Sequence, residues 1–193
     1  PYTKTHGRLA KLMLRTAAKF TSHFISVSLK VEESWFVSSN LFEENKPPYI
    51  QKKHFTIHNS IDLEKINGIG CNLNIEELKR KLLIPGGIPV IGAISRLRHE
   101  KGIDILVDAF NLLIKQYSEA HLFIVGAGPD GMMLRNRVHN FGLDSSVTFY
   151  GEADWEMAMR LILVMDIVVV PSRFEGFGLT AAEAMAAGRP VVA

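Results

Sequence analysis

The second half of the chain alternates between short apolar runs and segments with helical periodicity. The apolar runs after residue 88 show little alternation of polar and apolar residues, which is typical of strands covered on both faces. After the first run, Ile103, Val107 and Phe110 recur at the spacing of one helix face. This alternation predicts an α/β fold with a doubly wound parallel sheet. The predicted strands are IPVIGAIS, HLFIVG, VTFYG, DIVVVPS and PVVA, and the predicted helices lie near residues 103–114, 131–141, 154–163 and 179–188.

The first half of the chain is less regular. Residues 6–20 carry an apolar stripe and a basic stripe at helical spacing, and residues 40–54 form a polar segment that contains adjacent prolines. We therefore expect a helix in the former and a loop in the latter. Short strands are predicted at 23–28 and 55–62, and a further helix from Asn74, which opens a capping-box pattern, through Leu83.

Composition bounds the class of protein. A chain of 193 residues suits one ordinary domain with a piece of a second, and 47% hydrophobic with 22% charged residues is globular. The net charge of +2 is too small to indicate nucleic acid binding. The single cysteine, Cys71, favours a reducing, cytoplasmic location. The most apolar run, Leu161 to Val170, contains Asp166 and is shorter than the roughly 20 residues that span a bilayer.

The ends of the predicted strands carry the candidate chemistry, because ligands of parallel sheets bind there. The first strand is followed by SRLRHEKG, which places Arg96 and Lys101 in one loop. Two cations at this spacing would suit a diphosphate. A solvated loop with two surface cations explains the same spacing equally well.

The loop after the second strand, GAGPDG, matches the glycine pattern of dinucleotide-binding proteins. Gly126, Gly128 and Gly131 have the required spacing, and Glu152 provides an acidic residue farther along the chain. Two methionines follow the third glycine where small residues are expected, and the motif follows the second strand instead of the first. A redox protein that binds NAD or FAD is therefore the weaker hypothesis. After the third strand, Tyr150 and Gly151 could line a slot for a base, or serve core packing and a turn.

The loop after the fourth strand, PSRFEGFG, precedes a helix. Gly176 and Gly178 would leave backbone N–H groups open to an anion at the positive end of the helix dipole. Glu175 beside such a site suits a ligand that also brings hydroxyl groups; the alternative is a solvent-facing loop charge. For Glu183, the Thr180-x-x-Glu183 spacing is that of a capping box.

Taken in order, RLRHEKG, GAGPDG, VTFYGE and PSRFEGFGLTAAEAMAAGRPVVA resemble the nucleotide-sugar-binding half of the retaining GT-B glycosyltransferases, group 1 (family 4). HFISVS and IHNSID are similar to that family's crossover between domains. The resemblance implies a Rossmann-like GT-B half over residues 58–193, truncated at its C-terminal end. It implies that residues 1–57 are a remnant of the N-terminal, acceptor-side domain.

The resemblance also implies roles for the strand-end residues. Arg96 and Lys101 would hold the diphosphate, Glu175 would lie against the donor sugar, and Glu183 would bind ribose hydroxyls. The implied reaction is transfer, with retention, from a nucleotide-diphosphate sugar to an acceptor, with no metal and no cofactor. The implied catalytic residues are Glu175, Arg96 and Lys101, and the implied donor-binding residues are Arg96, Lys101, Gly126, Tyr150, Gly151, Glu175, Gly176, Phe177, Gly178, Leu179 and Glu183.

One further alternative follows from length, since members of that family are roughly twice as long. A truncated chain would be catalytically incomplete and could act as a nucleotide-binding, partner-binding or membrane-binding module. In the last case the basic helix 6–20 would lie on the inner face of an anionic membrane.

Overall fold

The computed structural model describes residues 13, 16–36, 38–47, 53–71 and 73–193. These residues group into two compact units. The N-terminal unit comprises the described residues up to Ser60 together with Phe174–Phe177. The sheet unit comprises Ile61–Arg173 and Gly178–Ala193.

Among its described residues, the N-terminal unit contains two short parallel strands and a complete helix, and Met13, Thr16 and Ala17 are also helical. Strands β1 (Phe24–Ser26) and β2 (His54–Thr56) pair with Ile25 opposite Phe55. Helix α1 (Leu29–Trp35) lies between them in sequence and is capped by Ser28, whose side chain accepts from the N–H of Val31. The two predicted strands are present but shorter than expected. Most of the predicted helix at 6–20 lies outside the described residues, which include a 3₁₀ turn at Ala18–Phe20.

A carboxylate lies at the centre of the N-terminal unit. The side chain of Glu32 is fully buried. Its carboxylate accepts from Thr56 Oγ1 at 2.6 Å and from the backbone N–H of Asn40 at 3.1 Å, and it lies 2.6 Å from His54 Nδ1. Burial alone would raise the pKa of Glu32, but the hydrogen bonds from Thr56, His54 and Asn40 outweigh it and lower the pKa below 4.5.

The sheet unit contains the regular alternation that the sequence predicts. A short helix that was not predicted, α2, begins after Asp62, whose side chain accepts from the N–H of Lys65 at 2.9 Å. The elements are α2 (Leu63–Gly70), α3 (Ile75–Lys81), β3 (Val90–Ile94), a 3₁₀ turn (His99–Lys101), α4 (Ile103–Leu113), β4 (His121–Val125), α5 (Gly131–Asn140), β5 (Val147–Gly151), α6 (Trp155–Ile162), β6 (Ile167–Val169), α7 (Leu179–Ala186) and β7 (Val191–Val192).

In the described part of the chain, the five strands from β3 to β7 form one sheet in the order β5-β4-β3-β6-β7, and all pairs are parallel. The predicted doubly wound parallel sheet is therefore confirmed. The chain leaves β3 toward one edge of the sheet and later returns to place β6 on its other side. Such a reversal of strand order creates a crevice at the carboxyl ends of the strands, where ligands of this architecture bind.

Apolar packing covers both faces of this sheet. Alternate residues of β4 belong to two separate hydrophobic clusters, because successive side chains of a strand point to opposite faces. Phe123 packs in one cluster with Met165 and Leu161, whereas Leu122 packs in the other with Phe110. This arrangement explains why the strands read as continuous apolar runs.

His121 is a polar exception at the start of β4. Its Nε2 lies 2.9 Å from Thr148 Oγ1, and its Nδ1 has no hydrogen-bond partner among the described residues. Burial lowers the pKa of His121 below 6.5 because the charged imidazolium loses its hydration.

Helix α3 begins as predicted but ends earlier. The side chain of Asn74 accepts from the N–H of Glu77 at 3.0 Å, which confirms the predicted N-cap. The helix ends at Lys81, and Leu83 adopts a left-handed conformation with φ 55°. The N–H of Leu83 donates to Arg80 and that of Ile84 to Lys79, a Schellman ending that usually places glycine at this position.

Among the described residues, no helix combines the length and hydrophobicity that a bilayer-spanning segment needs.

Candidate functional site

A cleft of ≈ 570 Å³ opens at the carboxyl ends of the strands of the sheet unit. That volume lies within the range of small-molecule sites, which is about 300–1,000 Å³. Three strand exits and the first turn of α7 contribute to it. The lining residues are Ile94, Ser95 and Arg96 after β3, Val125, Gly126 and Ala127 after β4, Glu152, Ala153 and Asp154 after β5, and Thr180 in α7.

Arg96 is the basic residue of this lining. Its side chain is exposed, and its loop is held by neighbouring backbone, since the N–H of Leu97 donates to Ala127 O at 2.9 Å. Lys101 ends the 3₁₀ turn of the same loop and is half-buried. Within the described residues, the cleft lining includes Arg96 but not Lys101.

Arg173, which the sequence analysis did not single out, fixes the turn that carries Lys101. Its guanidinium makes two hydrogen bonds to the carboxylate of Asp104, both 2.7 Å, and a third to His99 O at 2.7 Å. The hydrogen bonds from Arg173 hold the pKa of Asp104 below its usual value. The sequence gives no local signal for this contact, because the two residues are 69 positions apart.

The glycines of GAGPDG serve a close approach between two loops. A Cβ on Gly126 would lie 1.9 Å from Ser95 O, and a Cβ on Gly128 would lie 2.3 Å from Leu97 O. Gly126 also has a φ of +130°, which side-chain-bearing residues rarely adopt. Packing of the β4 exit on the β3 exit therefore explains these glycines without a bound dinucleotide.

Tyr150 and Gly151, the two residues predicted to line a base slot, make different contacts at the exit of β5. Gly151 accepts from the N–H of Gly126 at 2.7 Å, which ties the β5 exit to the β4 exit. Tyr150 makes an edge contact with Phe123, with ring centroids 6.2 Å apart, as the core-packing interpretation expects, and its role in a base slot stays a prediction. Asp154 ends the loop and caps α6, accepting from the N–H of Met157.

Helix α7 begins one residue before the predicted capping box. Gly178 is its N-cap and Leu179 its first residue, so Thr180 already lies inside the helix. The capping-box explanation of Glu183 is therefore wrong. The carboxylate of Glu183 instead accepts from the indole N–H of Trp155 at 2.8 Å. Lys65 lies 4.5 Å from the centroid of that indole ring.

The remaining predicted residues, Glu175, Gly176 and Phe177, group with the N-terminal unit. Gly176 O accepts from Ser28 Oγ at 2.6 Å. The ring of Phe177 contacts that of His58 with centroids 6.0 Å apart. Glu175 is exposed.

The cleft thus offers a cation and carboxylates on different strand exits. Arg96 follows β3, whereas Glu152 and Asp154 follow β5. A guanidinium donates hydrogen bonds to two oxygens of a phosphate, and a carboxylate accepts hydrogen bonds from hydroxyl or N–H groups. This set suits a ligand that combines an anion with hydrogen-bond donors. Across the described residues, no group of three histidine, cysteine, aspartate or glutamate side chains is placed to hold a metal ion.

The family model for glycosyl transferases group 1 matches residues 74–193, which is well over half of the chain. The chain belongs to the group 1 glycosyltransferases. This membership favours the glycosyltransferase interpretation of GAGPDG over the redox one. The matched range also includes every residue that lines the cleft.

Two curated relatives of this glycosyltransferase chain illustrate the similarity. The chain is 38% identical over 111 residues to a mannosylfructose-phosphate synthase of Agrobacterium fabrum, which covers 53% of this chain and 24% of the relative. It is 36% identical over 126 residues to the lipopolysaccharide core biosynthesis mannosyltransferase LpsB of Rhizobium meliloti, covering 61% of this chain and 34% of LpsB. The match therefore spans about a third or less of these curated relatives.

Solved structures agree on the fold. Anabaena Alr3699/HepE in complex with UDP and glucose superposes with a TM-score of 0.75 at 23% identity, over 99% of this chain and 49% of that one. Sucrose-phosphate synthase from Thermosynechococcus elongatus gives a TM-score of 0.71 at 24% identity, over 99% and 45%. The chain thus spans about half the length of these structural relatives, and its fold is that of a GT-B half.

Proposed function

We propose that this chain carries the donor site of a retaining, family 4 glycosyltransferase, and that residues 58–193 form the donor-binding domain. The cleft at the strand ends carries the proposal, because it presents the exposed guanidinium of Arg96 beside the loop that follows β4. A structural relative, HepE, has been solved with UDP-glucose bound. The donor would be a nucleotide-diphosphate sugar, and the remaining residues 1–57 would belong to the acceptor-side domain.

In the proposed reaction, the bond between the anomeric carbon of the sugar and the diphosphate breaks, and an acceptor oxygen bonds to that carbon. Negative charge grows on the departing diphosphate. Arg96 and Lys101 would stabilise that charge, since preorganised cations act most strongly where charge develops. The Arg173–Asp104 contact would hold the turn of Lys101 in place during this step. Glu175 would lie against the donor sugar, and backbone N–H groups of Gly176, Phe177, Gly178 and Leu179 would assist at the phosphates.

Calorimetry with the purified chain tests the donor site. We expect one of UDP, GDP and ADP to bind, and NAD and FAD not to bind, at a single salt concentration. Arg96→Ala and Lys101→Ala should each weaken that binding by about tenfold or more, the effect of removing a charge-assisted hydrogen bond.

Arg98→Ala is the matched control, because Arg98 is an exposed cation of the same loop that neither lines the cleft nor is assigned to the diphosphate by the resemblance. Unchanged affinity in both Arg96→Ala and Lys101→Ala would overturn the assignment of the diphosphate site. Binding of NAD or FAD would instead return GAGPDG to the redox interpretation.

A peripheral membrane contact through residues 6–20, where the sequence predicts a helix, is a separate proposal that rests on the basic stripe of the sequence. Replacing the lysines and arginines of this segment with glutamine should abolish co-sedimentation with anionic liposomes. Equal co-sedimentation of the two forms would reject the contact.

A further inference from the structure

The carboxylate of Glu183 is held by an aromatic residue from the neighbouring helix. The indole N–H of Trp155 donates to Glu183 Oε1 at 2.8 Å. Trp155 is the first residue of α6, and Glu183 lies in the second turn of α7. An indole N–H can only donate, so a carboxylate is the partner that it matches.

The position of Trp155 is itself supported. The ammonium of Lys65, on α2, lies 4.5 Å from the centroid of the indole ring. A cation over the face of tryptophan is attracted by the ring quadrupole. The backbone beside Trp155 is fixed by Asp154, which caps α6. Residues of α2 and α6 therefore hold the side chain of Glu183, on α7, in one rotamer.

Both members of this pair adjoin residues of the cleft. Trp155 follows Asp154 directly. Glu183 follows Thr180 by three positions, so Thr180 and Glu183 lie on one face of α7. Asp154 and Thr180 both line the cleft.

We propose that Trp155 is a positioning residue of the nucleotide site, which orients Glu183 for the ribose of the donor. This inference rests on the proposed function. An ionised carboxylate has about four acceptor positions, and Trp155 occupies one of them. The ribose hydroxyls would donate to the others. A glutamate whose rotamer is already fixed loses less conformational freedom on binding than an unrestrained one.

The alternative is a merely structural link between α6 and α7. The two roles differ in what they predict for the ligand. A structural link would affect every nucleotide alike or none, whereas a positioning role concerns only the ribose hydroxyls. A pair of ligands that differ in those hydroxyls therefore distinguishes the two roles.

The experiment compares the full chain with Trp155→Phe, which keeps an aromatic ring for Lys65 and removes the N–H donor. The probes are the diphosphate that the chain binds among UDP, GDP and ADP, and the 2′,3′-dideoxy form of the same nucleotide. Trp155→Phe should weaken binding of the ribonucleotide on the order of fivefold, the effect of losing one hydrogen bond, and leave binding of the dideoxy form unchanged. Trp35→Phe, the other tryptophan of the chain, is the control for the exchange.

A double-mutant cycle provides the second readout. In a Glu183→Ala background, Trp155→Phe should cause no further loss of affinity, because the group that it positions is absent. Equal affinity of wild type and Trp155→Phe for the ribonucleotide would overturn this inference alone. Equal losses of affinity for the ribonucleotide and the dideoxy form would do the same. Failure of the wild-type chain to bind any diphosphate would overturn the proposed function, and this inference with it.

Discussion

The two compact units of this chain are stabilised by different kinds of interior. The sheet unit buries apolar side chains on both faces of its sheet, and Phe110, Phe123 and Met165 are among its fully buried residues. In the N-terminal unit, Phe55 is the one buried hydrophobic residue among those the structure describes, and its most buried group is the carboxylate of Glu32. One interior depends on volume and shape, whereas the other depends on matching donors to an acceptor.

This difference predicts different sensitivities. An apolar core loses stability when atoms are removed, in proportion to the cavity that remains. A buried carboxylate depends on its ionisation and on each donor that replaces water. The N-terminal unit also exposes apolar side chains of Ile25 and Leu41, at 62% and 56%, so apolar burial contributes less to it.

The largest expected effect is on the sheet unit. Phe123→Ala should lower the free energy of unfolding by about 3–5 kcal/mol, because it leaves a cavity between the sheet and its helices. Urea denaturation measures the loss, and hydrogen exchange should place it in β3, β4 and β5. Tyr117→Ala removes a ring that is 65% exposed and should change stability by less than about 0.5 kcal/mol. Equal losses in the two variants would contradict the apolar-core description.

The next effect concerns the N-terminal unit. Glu32→Gln keeps the shape of the side chain but gives it an amide where a carboxylate oxygen accepted a hydrogen bond. We expect a loss of about 1–3 kcal/mol, seen by hydrogen exchange as lower protection of β1 and β2. Glu33→Gln, at an exposed neighbouring position, should leave that protection unchanged. A silent Glu32→Gln would show that the carboxylate does not organise this unit.

Lowering the pH should destabilise the two units over different pH ranges. His121 has a pKa lowered below 6.5 by burial, so below that pH the unfolded chain gains a proton that the folded sheet unit resists, and stability falls. The lowered pKa of Glu32 contributes stability that is present above pH 4.5 and lost as pH falls through the lower, folded value. Protection of β4, corrected for intrinsic exchange rates, should therefore decline before that of β2. His121→Gln should remove the earlier decline, and an unaltered decline in this variant would exclude His121 as its cause.

The smallest effect is a gain. Leu83 is 86% exposed and has a left-handed φ of 55°, which a side chain disfavours. Leu83→Gly should raise the free energy of unfolding by about 0.5–1 kcal/mol, measured by urea denaturation. Leu112→Gly, at an exposed position of helix α4, should lower it by about 1 kcal/mol. Losses in both variants would show that the strain at Leu83 is negligible.

Local pattern was informative where an element buries an apolar face. The continuous runs from β3 to β6 predicted strands that are covered on both sides, and the sheet has that form. Helices α1 and α2 were missed for identifiable reasons. The fully buried side chain of α1 is a glutamate, and α2 contains Gly68 and Gly70, a residue type that disfavours a helix interior. The Thr180-x-x-Glu183 pattern misled because the helix begins at Leu179, after Gly178.

The sequence by itself determined the alternation of strands and helices, the parallel sheet and the family, because periodicity and strand-end motifs are local properties of the chain. Only the tertiary structure decided that Gly126 packs on Ser95, that Arg173 reaches Asp104, and that Trp155 meets Glu183. These contacts join residues far apart in sequence. They form because the parallel sheet brings the carboxyl ends of β3, β4, β5 and β6 together. No local pattern specifies which side chains meet there.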